Sequence, residues 1–547
     1  VTEPLVVMVT AFAVIAAATV VGPRLGVAAP LLLVVTGVVA SLSPMFGSVH
    51  VEPEWILEGV LPPLLYSSAV SMPPMNFRRE FGAVSGLSVL LVIGTALLLG
   101  LFFALAIPGL GFAWGVALGA IISPTDAVAT SIVKRTPVSR RVVSILDGES
   151  LLNDATALVL LRTAVVTTAA AFSFWGAVGT LAYSVVVALA VGWAVGRLDL
   201  LVRKRVTDPT VNTVISFTAP FLASVPAEHL GASGLVAAVV AGLVTGIRAP
   251  RDLSPRNRLS DSQNWRTVEL VLEGAVFLTM GVQIGPIVAD VRADYDEIGT
   301  AVLVAAAALA LTVLVRAAYI GPLLAVLAAR ARGSDTIRTR VRGLQERMST
   351  PEGKQQTMDE AKLRGRPPKE RDLDRFAGRI VRILADLDYF RREVLGWREG
   401  TAVVWAGMRG AVTVAAAQTL PEDTPRRSVL VLIAFAVALL SLLVQGGTIG
   451  PLLRRLTPAA DHVAAARRAS AERDRIAEIM RTTSATAHPD ATSSPASAHR
   501  LAVISAQRSA LLDARDNGTF DAEVLEEALA DLDAAQIAIE LRGGLRG

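Results

Sequence analysis

The chain has 547 residues, 52% of them hydrophobic and 18% charged, with a mean hydropathy of +0.53. That balance argues against a soluble protein of this length, and apolar runs recur to about position 450, so the bilayer is the natural solvent. Cysteine is absent, which excludes disulfides and thiol chemistry, and the five histidines show no metal-ligand spacing. The formal charge of +4 comes from basic residues concentrated in particular loops and tails, a pattern of membrane topology with no basic patch for nucleic acid.

The first apolar run, Leu5–Gly22, follows Glu3, lacks a basic leader and precedes Arg24, so it reads as a first span with its N-terminus outside. Length and hydropathy predict about thirteen spans, near 4–22, 26–43, 54–71, 80–107, 111–133, 144–170, 173–201, 210–227, 231–248, 267–286, 298–329, 399–420 and 427–452. Basic residues fall in alternate connections: Arg24; Arg78 and Arg79; Lys134 to Arg141; Arg203 to Arg205; Arg248 to Arg258. This places the N-terminus outside and the C-terminus in the cytoplasm; Arg426 and Arg427 are the main exception. The fold class is therefore an all-α membrane protein with cytoplasmic helical segments. The transmembrane region is 1–456, interrupted by a cytoplasmic insertion at 331–398, and 457–547 is a partly helical cytoplasmic tail.

Within the insertion, Gly333–Arg371 is polar and reads as loose. Phe376, Ile380, Ile383, Leu384, Leu387 and Phe390 then recur at helical spacing among arginines. They fit either a helix on the membrane surface or one packed on the protein's own cytoplasmic side. In the tail, Thr482–Ser497 reads as a linker, and 500–515 and 521–540 as helices joined at Asn517-Gly518. No catalytic motif occurs, so the chain is not read as an enzyme.

Charges inside the spans carry the functional signal, because each costs about 2.5–3.5 kcal/mol at the centre of a bilayer helix. They are Asp126, Asp147, Glu149, Asp154, Arg162, Glu273, Arg316 and Arg409. At about 1.5 Å per residue, Asp154 and Arg409 lie roughly 15 Å inside their spans, near the midplane. Asp147 lies near the inner end and reads as an exposed helix-start carboxylate. Span five contains Ser123-Pro124-Thr125-Asp126 and span twelve contains Gly407-Met408-Arg409-Gly410; each is a weak point in a helix and each carries a charge. Spans one to six and eight to thirteen are equal in number and opposite in orientation. Breaks at matched places in two inverted halves point to a transporter's midplane site. On span six, Ser150 and Asp154 share one face and offer oxygens to a hard cation, while Glu149 and Asn153 share another. Glu149, Arg316 and Arg409 can also be read as a packing network, which leaves Asp154 needing a proton or a cation.

At these residues the chain resembles the bacterial monovalent cation:proton antiporters of the CPA1 type, related to the NhaP and eukaryotic NHE exchangers. The carriers are Ser123–Ala129, Gly148-Glu149-Ser150-Leu151-Leu152-Asn153-Asp154 and Gly407-Met408-Arg409-Gly410-Ala411 in this order, with weaker support from Pro62–Tyr66 and Glu273–Leu278. The resemblance implies 13 helices, six-helix inverted repeats with crossed broken helices, an elevator-like cycle, a homodimer, and no cofactor. It implies that Asp154 binds the ion or proton, and that Ser150 and the Thr125 carbonyl complete a Na⁺ shell. Asn153, Glu149 and Arg316 would support them, with Asp126 and Arg409 compensating helix dipoles. The Asn153-Asp154 pair resembles electroneutral members. Where the family commonly has a glutamate in span three, this chain has Ser67, a possible edge of the site.

The function expected is Na⁺/H⁺ exchange across a bacterial inner membrane, with competition at Asp154. K⁺/H⁺ exchange, with Li⁺ a further possible substrate, is an alternative, and a cation channel or a membrane-tethered sensor are alternatives of other classes. The tail's partners are not readable from the sequence.

Overall fold

The computed structural model describes residues 2–25, 27–42, 52–126, 128–134, 136, 138–169, 174–294, 298–350, 352, 355–356, 370–456, 459–486 and 496–544. Ala127, the 44–51 stretch, Asp296 and Glu297, and most of 351–369 lie outside them. Every regular element among the described residues is helical. In order these are α1 (Thr2–Leu25), α2 (Ala29–Ser41), a π-helical turn (Trp55–Val60) leading into α3 (Leu61–Ser71), and α4 (Pro74–Ser85). A second π-turn (Gly86–Leu91) joins α4 to α5 (Val92–Ala106), followed by α6 (Phe112–Ile122), α7 (Val128–Lys134), α8 (Arg140–Ala169) and α9 (Phe174–Arg203). Then come α10 (Pro209–His229), α11 (Gly234–Asp252), α12 (Pro255–Val282), α13 (Ile284–Asp294) and α14 (Ile298–Ser349). The rest are α15 (Glu370–Arg392), α16 (Trp397–Trp405), α17 (Ala411–Gln418), α18 (Arg427–Ser441), a third π-turn (Leu442–Gly446), α19 (Gly447–Leu456), α20 (Ala459–Thr486), α21 (Ala496–Asn517) and α22 (Ala522–Gly544).

The chain divides into two compact units, Val1–Gly321 with Arg398–Thr457, and Pro322–Trp397 with Pro458–Gly547. The first holds the apolar helices. Among the described residues, eight helical stretches are long and apolar enough to cross a membrane. The other apolar segments expected to span are short (α2), led by a π-turn (α3), proline-bearing (α10) or broken (α6/α7 and α16/α17). Small residues let helices meet backbone to backbone: a Cβ on Gly115 or Gly119 of α6 would collide with the carbonyls of Gly100 and Ala96 on α5. Large apolar side chains such as Leu105 and Leu303, 78% and 71% exposed, stand outward as lipid-facing residues do. Arg427, the exception to the charge alternation, has a local use. Its Nε donates to the Leu420 carbonyl (2.8 Å) and its Nη2 to that of Gln418 (2.7 Å), closing the C-terminal end of α17.

The second unit corrects the expectation of a loose segment from Gly333. α14 is one 52-residue helix that runs on to Ser349. In this unit α15 pairs antiparallel with the end of α14: Arg338 Nε bonds Asp388 at 2.9 Å, while Ile380 and Leu384 bury against Met348 with Val341 and Ala377. Ile380 and Leu384 of α15 therefore pack on the chain's own α14, while Phe376 and Ile383 of the same helix are 40% and 41% exposed. The tail forms a three-helix bundle of α20, α21 and α22 around Ile476, Leu511, Leu512, Phe520, Leu525 and Leu532. Gly518 turns α21 into α22 with φ +69°. α20 was not foreseen, and it extends to Thr486, inside the segment read as a linker.

Candidate functional site

Two helix breaks lie against each other. α6 stops at Ile122, just before Pro124, and α7 begins at Val128; α16 stops at Trp405 and α17 begins at Ala411. The Asp126 amide donates to the Met408 carbonyl (2.7 Å), stitching one break to the other. Each break leaves unpaired backbone groups in a region with no water to satisfy them. Asp126 meets the amide end of α7, with Oδ1 accepting from Val128 N at 2.9 Å. Arg409 meets the carbonyl end of α6, donating from Nε to Ile122 O (3.0 Å) and from Nη2 to Ser123 O (3.4 Å), while Nη1 donates to Gly407 O. The Arg409 amide donates to Ser441 Oγ (2.9 Å), Ser441 to Gln445 Oε1 (2.6 Å), and Gln445 to Trp405 O (3.2 Å). Ser441 and Gln445 belong to this frame and were not foreseen; two polar residues one turn apart inside an apolar span were the available signal.

Beside the crossing sits a charge-balanced network. Arg316 on α14 grips Glu149 on α8 through two bonds, Nη1–Oε1 2.5 Å and Nη2–Oε2 2.7 Å, and both side chains are 2% exposed. Arg316 Nε also donates to Val403 O of α16 (2.9 Å), and Ser88 Oγ to Glu149 O (3.2 Å). Thr125 donates its hydroxyl to Glu149 Oε1 (3.3 Å) and accepts from Asn153 Nδ2 (2.7 Å), which also reaches the Thr125 carbonyl at 3.1 Å. Thr125, Glu149, Asn153 and Arg316 thus join α8, α14, α16 and the first break. Asn153 Oδ1 remains buried with no partner.

Asp154 stands apart from this balance. It is 8% exposed, and among the described residues no hydrogen bond or ion pair reaches its carboxylate. It borders a small cavity with Pro124, Ala120, Leu158, Val412 and Ala416. Ser150 lies one turn earlier on α8, its hydroxyl donating to Asp147 O (3.1 Å) and leaving its lone pairs free. The Thr125 carbonyl keeps a second lone pair after bonding Asn153. Asp126 and Glu273 of α12 lie within Coulombic reach of each other, as do Asp126 and Asp154. Buried carboxylate, hydroxyl and carbonyl oxygens suit a hard monovalent cation or a proton as cargo. Ser67 is buried in α3 (2% exposed), and its neighbours Leu65 and Ala69 cluster with Leu151 and Ala155 of α8. Arg162 is exposed, away from this assembly.

Four buried or half-buried ion pairs, in three groups, were missed. Asp147 bonds Lys134 of α7 (3.0 Å) and is 24% exposed, two turns inside α8, where an exposed helix-start carboxylate was expected. Glu80 of α4 pairs with Arg141 (2.5 Å). Arg203 joins Asp199 (3.3 Å) and Asp261 (2.7 Å) and also bonds Asn212 Oδ1 (2.9 Å). Asp147 was noticed as a charge at the inner end of a span, and the others lie at span ends or in loops, where the sequence does not name a partner.

The sequence profile described as "Sodium/hydrogen exchanger, transmembrane" matches residues 8–350 and 375–455. Of the 331–398 insertion, only 351–374 falls outside this match. A Na⁺/H⁺ exchanger of Mycobacterium tuberculosis, itself described as uncharacterized, is 29% identical over 459 residues, 82% of this chain and 74% of its own. The low-affinity Na⁺/H⁺ antiporter NhaS1 of Synechocystis is 25% identical over 431 residues, 78% of this chain and 69% of its own. The solved structure of the sodium proton antiporter MjNhaP1 of Methanocaldococcus jannaschii superposes with a TM-score of 0.58 at 15% identity, covering 83% of this chain and 99% of that one. The match extends over both helix breaks and the polar network between them, and the chain belongs to the sodium/hydrogen exchanger family.

Proposed function

We propose that this cation/proton antiporter exchanges Na⁺ for H⁺, one for one, by competition at Asp154. The observation that carries the reading is a difference between two buried acids five residues apart on one helix, about 7.5 Å at 1.5 Å per residue. Glu149 holds a guanidinium through two bonds, whereas among the described residues no ion pair reaches Asp154. A buried carboxylate without a partner is costly, so a proton or a cation neutralises it. Ser150 Oγ and the Thr125 carbonyl supply further oxygens for the cation. Either cargo discharges the site and lets the core cross; the empty, charged site does not.

In this reading the transmembrane region, 1–456, has thirteen spans in two inverted halves, an outer N-terminus and a cytoplasmic C-terminus. It works as a homodimer in the bacterial inner membrane, the core moves as an elevator, and the exchange is electroneutral. Residues 457–547 form the cytoplasmic tail. Reconstitution into liposomes with a pH-sensitive dye tests it. Na⁺ should release the proton gradient without a membrane potential developing, and Asp154→Asn should not respond. Response to K⁺ with silence toward Na⁺ would replace the substrate and keep the mechanism. A variant lacking the carboxylate that still exchanges would end it.

A further inference from the structure

α8 is enclosed over most of its surface from Arg141 to Ala157, and its half-buried positions fall on two faces, one of which carries Leu152 and Thr156. Val143, Asp147, Ser150, Asp154 and Leu158 recur at intervals of four, three, four and four residues, which is the other face. Val143, Asp147, Ser150 and Leu158 are half-buried, and Asp154 keeps 8% exposure. Leu146, Gly148, Glu149, Leu151 and Asn153 between them are buried. Between Asp147 and Asp154 exposure falls from 24% for the Asp147 side chain to 8%, and the partner of Asp147, Lys134 at the last turn of α7, is 53% exposed. Three of the stripe's five members carry oxygen, which water or a cation can solvate and lipid cannot.

We propose that this stripe is the cytoplasmic access path to Asp154, and that Asp147 at its mouth is a staging site for the incoming monovalent cation, occupied in the resting protein by the Lys134 ammonium. The inference rests on the reading of Asp154 as the exchange site. Asp147 lies two turns before Asp154 on the same face, with Ser150 between them. An ammonium is a compact point charge on a flexible stem, so it can yield the carboxylate to a passing cation in a way that a bidentate guanidinium cannot. The contrast is present on the same helix, where Glu149 is held by two bonds from Arg316 and Asp147 by one from a half-exposed lysine. A negative mouth at the end of a low-dielectric channel raises the local cation concentration and so acts on apparent affinity.

The two partners therefore have opposite effects. In everted membrane vesicles, whose outer face is the cytoplasmic one, Na⁺-driven recovery of an acridine dye reports cytoplasmic KM and maximal rate. Asp147→Asn should raise the Na⁺ KM about fivefold, the scale of a half-screened ion pair, with maximal rate retained. Lys134→Gln should lower KM by removing the tethered competitor. The exchanged pair Asp147→Lys with Lys134→Asp restores a salt bridge but places a cation on the stripe, and KM should remain high. A bridge with only a structural role predicts the reverse: both single variants lose rate and thermal stability together, and the exchanged pair rescues them. That outcome, or KM values equal to wild type in both single variants, overturns the proposal. Failure of the wild type to respond to Na⁺ would instead strike the exchange reading itself.

Discussion

Asp126 and Gly410 share one point of the helix crossing: a Cβ placed on Gly410 would overlap Asp126 Oδ2. The carboxylate is fixed there by its bond to Val128 N and by the strand-like link from its amide to Met408 O. Gly410→Ala should therefore abolish exchange and destabilise the core by about 1–3 kcal/mol, the usual range for overpacking. Thermal unfolding in detergent beside dye-quench transport reads both. Wild-type values would show that the crossing has slack.

Arg409 reaches three carbonyls with one planar fork, which a lysine cannot do. Arg409→Lys keeps the charge but leaves at least one carbonyl at the end of α6 unpaired. The expected result is a large loss of rate in protein that still reaches the membrane. Preserved activity would mean that charge alone suffices at that position.

Glu149 and Arg316 are wholly buried partners, so removing either strands the other. Arg316→Ala and Glu149→Ala should each cost about 3–5 kcal/mol of stability. The double variant should cost less than the two single losses summed, because it strands neither charge. Simple additivity in a denaturation series would refute a coupled pair.

Competition at Asp154 has its own signature. Below the pH at which the free site deprotonates, the apparent Na⁺ KM should rise about tenfold per pH unit, as mass action for one proton against one cation requires. Maximal rate at saturating Na⁺ should vary far less. A KM that is flat with pH while the rate falls would place proton binding on a different group.

The broad architecture was legible because hydrocarbon leaves a strong mark on composition. Asp154, Glu149, Asn153, Thr125, Arg316, Asp126 and Arg409 were legible as a group because charge and broken helix are conspicuous inside apolar runs. Hydropathy, however, marks only the part of a helix that lipid surrounds. α12 begins at Pro255, about three turns before the expected span, with Ser254 Oγ accepting from Asn257 N (3.2 Å). The Ser254-Pro255 start signal was present in a connection read only for its basic residues, Arg248 to Arg258. The extension of α14 to Ser349 was hidden for a similar reason: its polar residues gave no membrane signal, and its packing partners on α15 lie more than thirty residues away, as Met348 and Ile380 do. Lys134 and Asp147 carried no hint of each other, because a pair between two helix ends depends on how those helices are docked.

The Glu149–Arg316 bond also sets an order of events at the ribosome. The two residues are 167 positions apart, and synthesis at about 5–20 residues per second separates their appearance by roughly 8–33 s. Arg409, which closes the end of α6, is 287 positions downstream of the Ile122 carbonyl it caps. Over that interval α8 carries an unpaid acid and α6 an open end, while Glu80 and Arg141, only 61 positions apart, have already met. The early helices thus wait, half-neutralised, for the late ones. A nascent chain arrested before α14 already carries Asp154 but neither guanidinium that shapes the surroundings of that carboxylate.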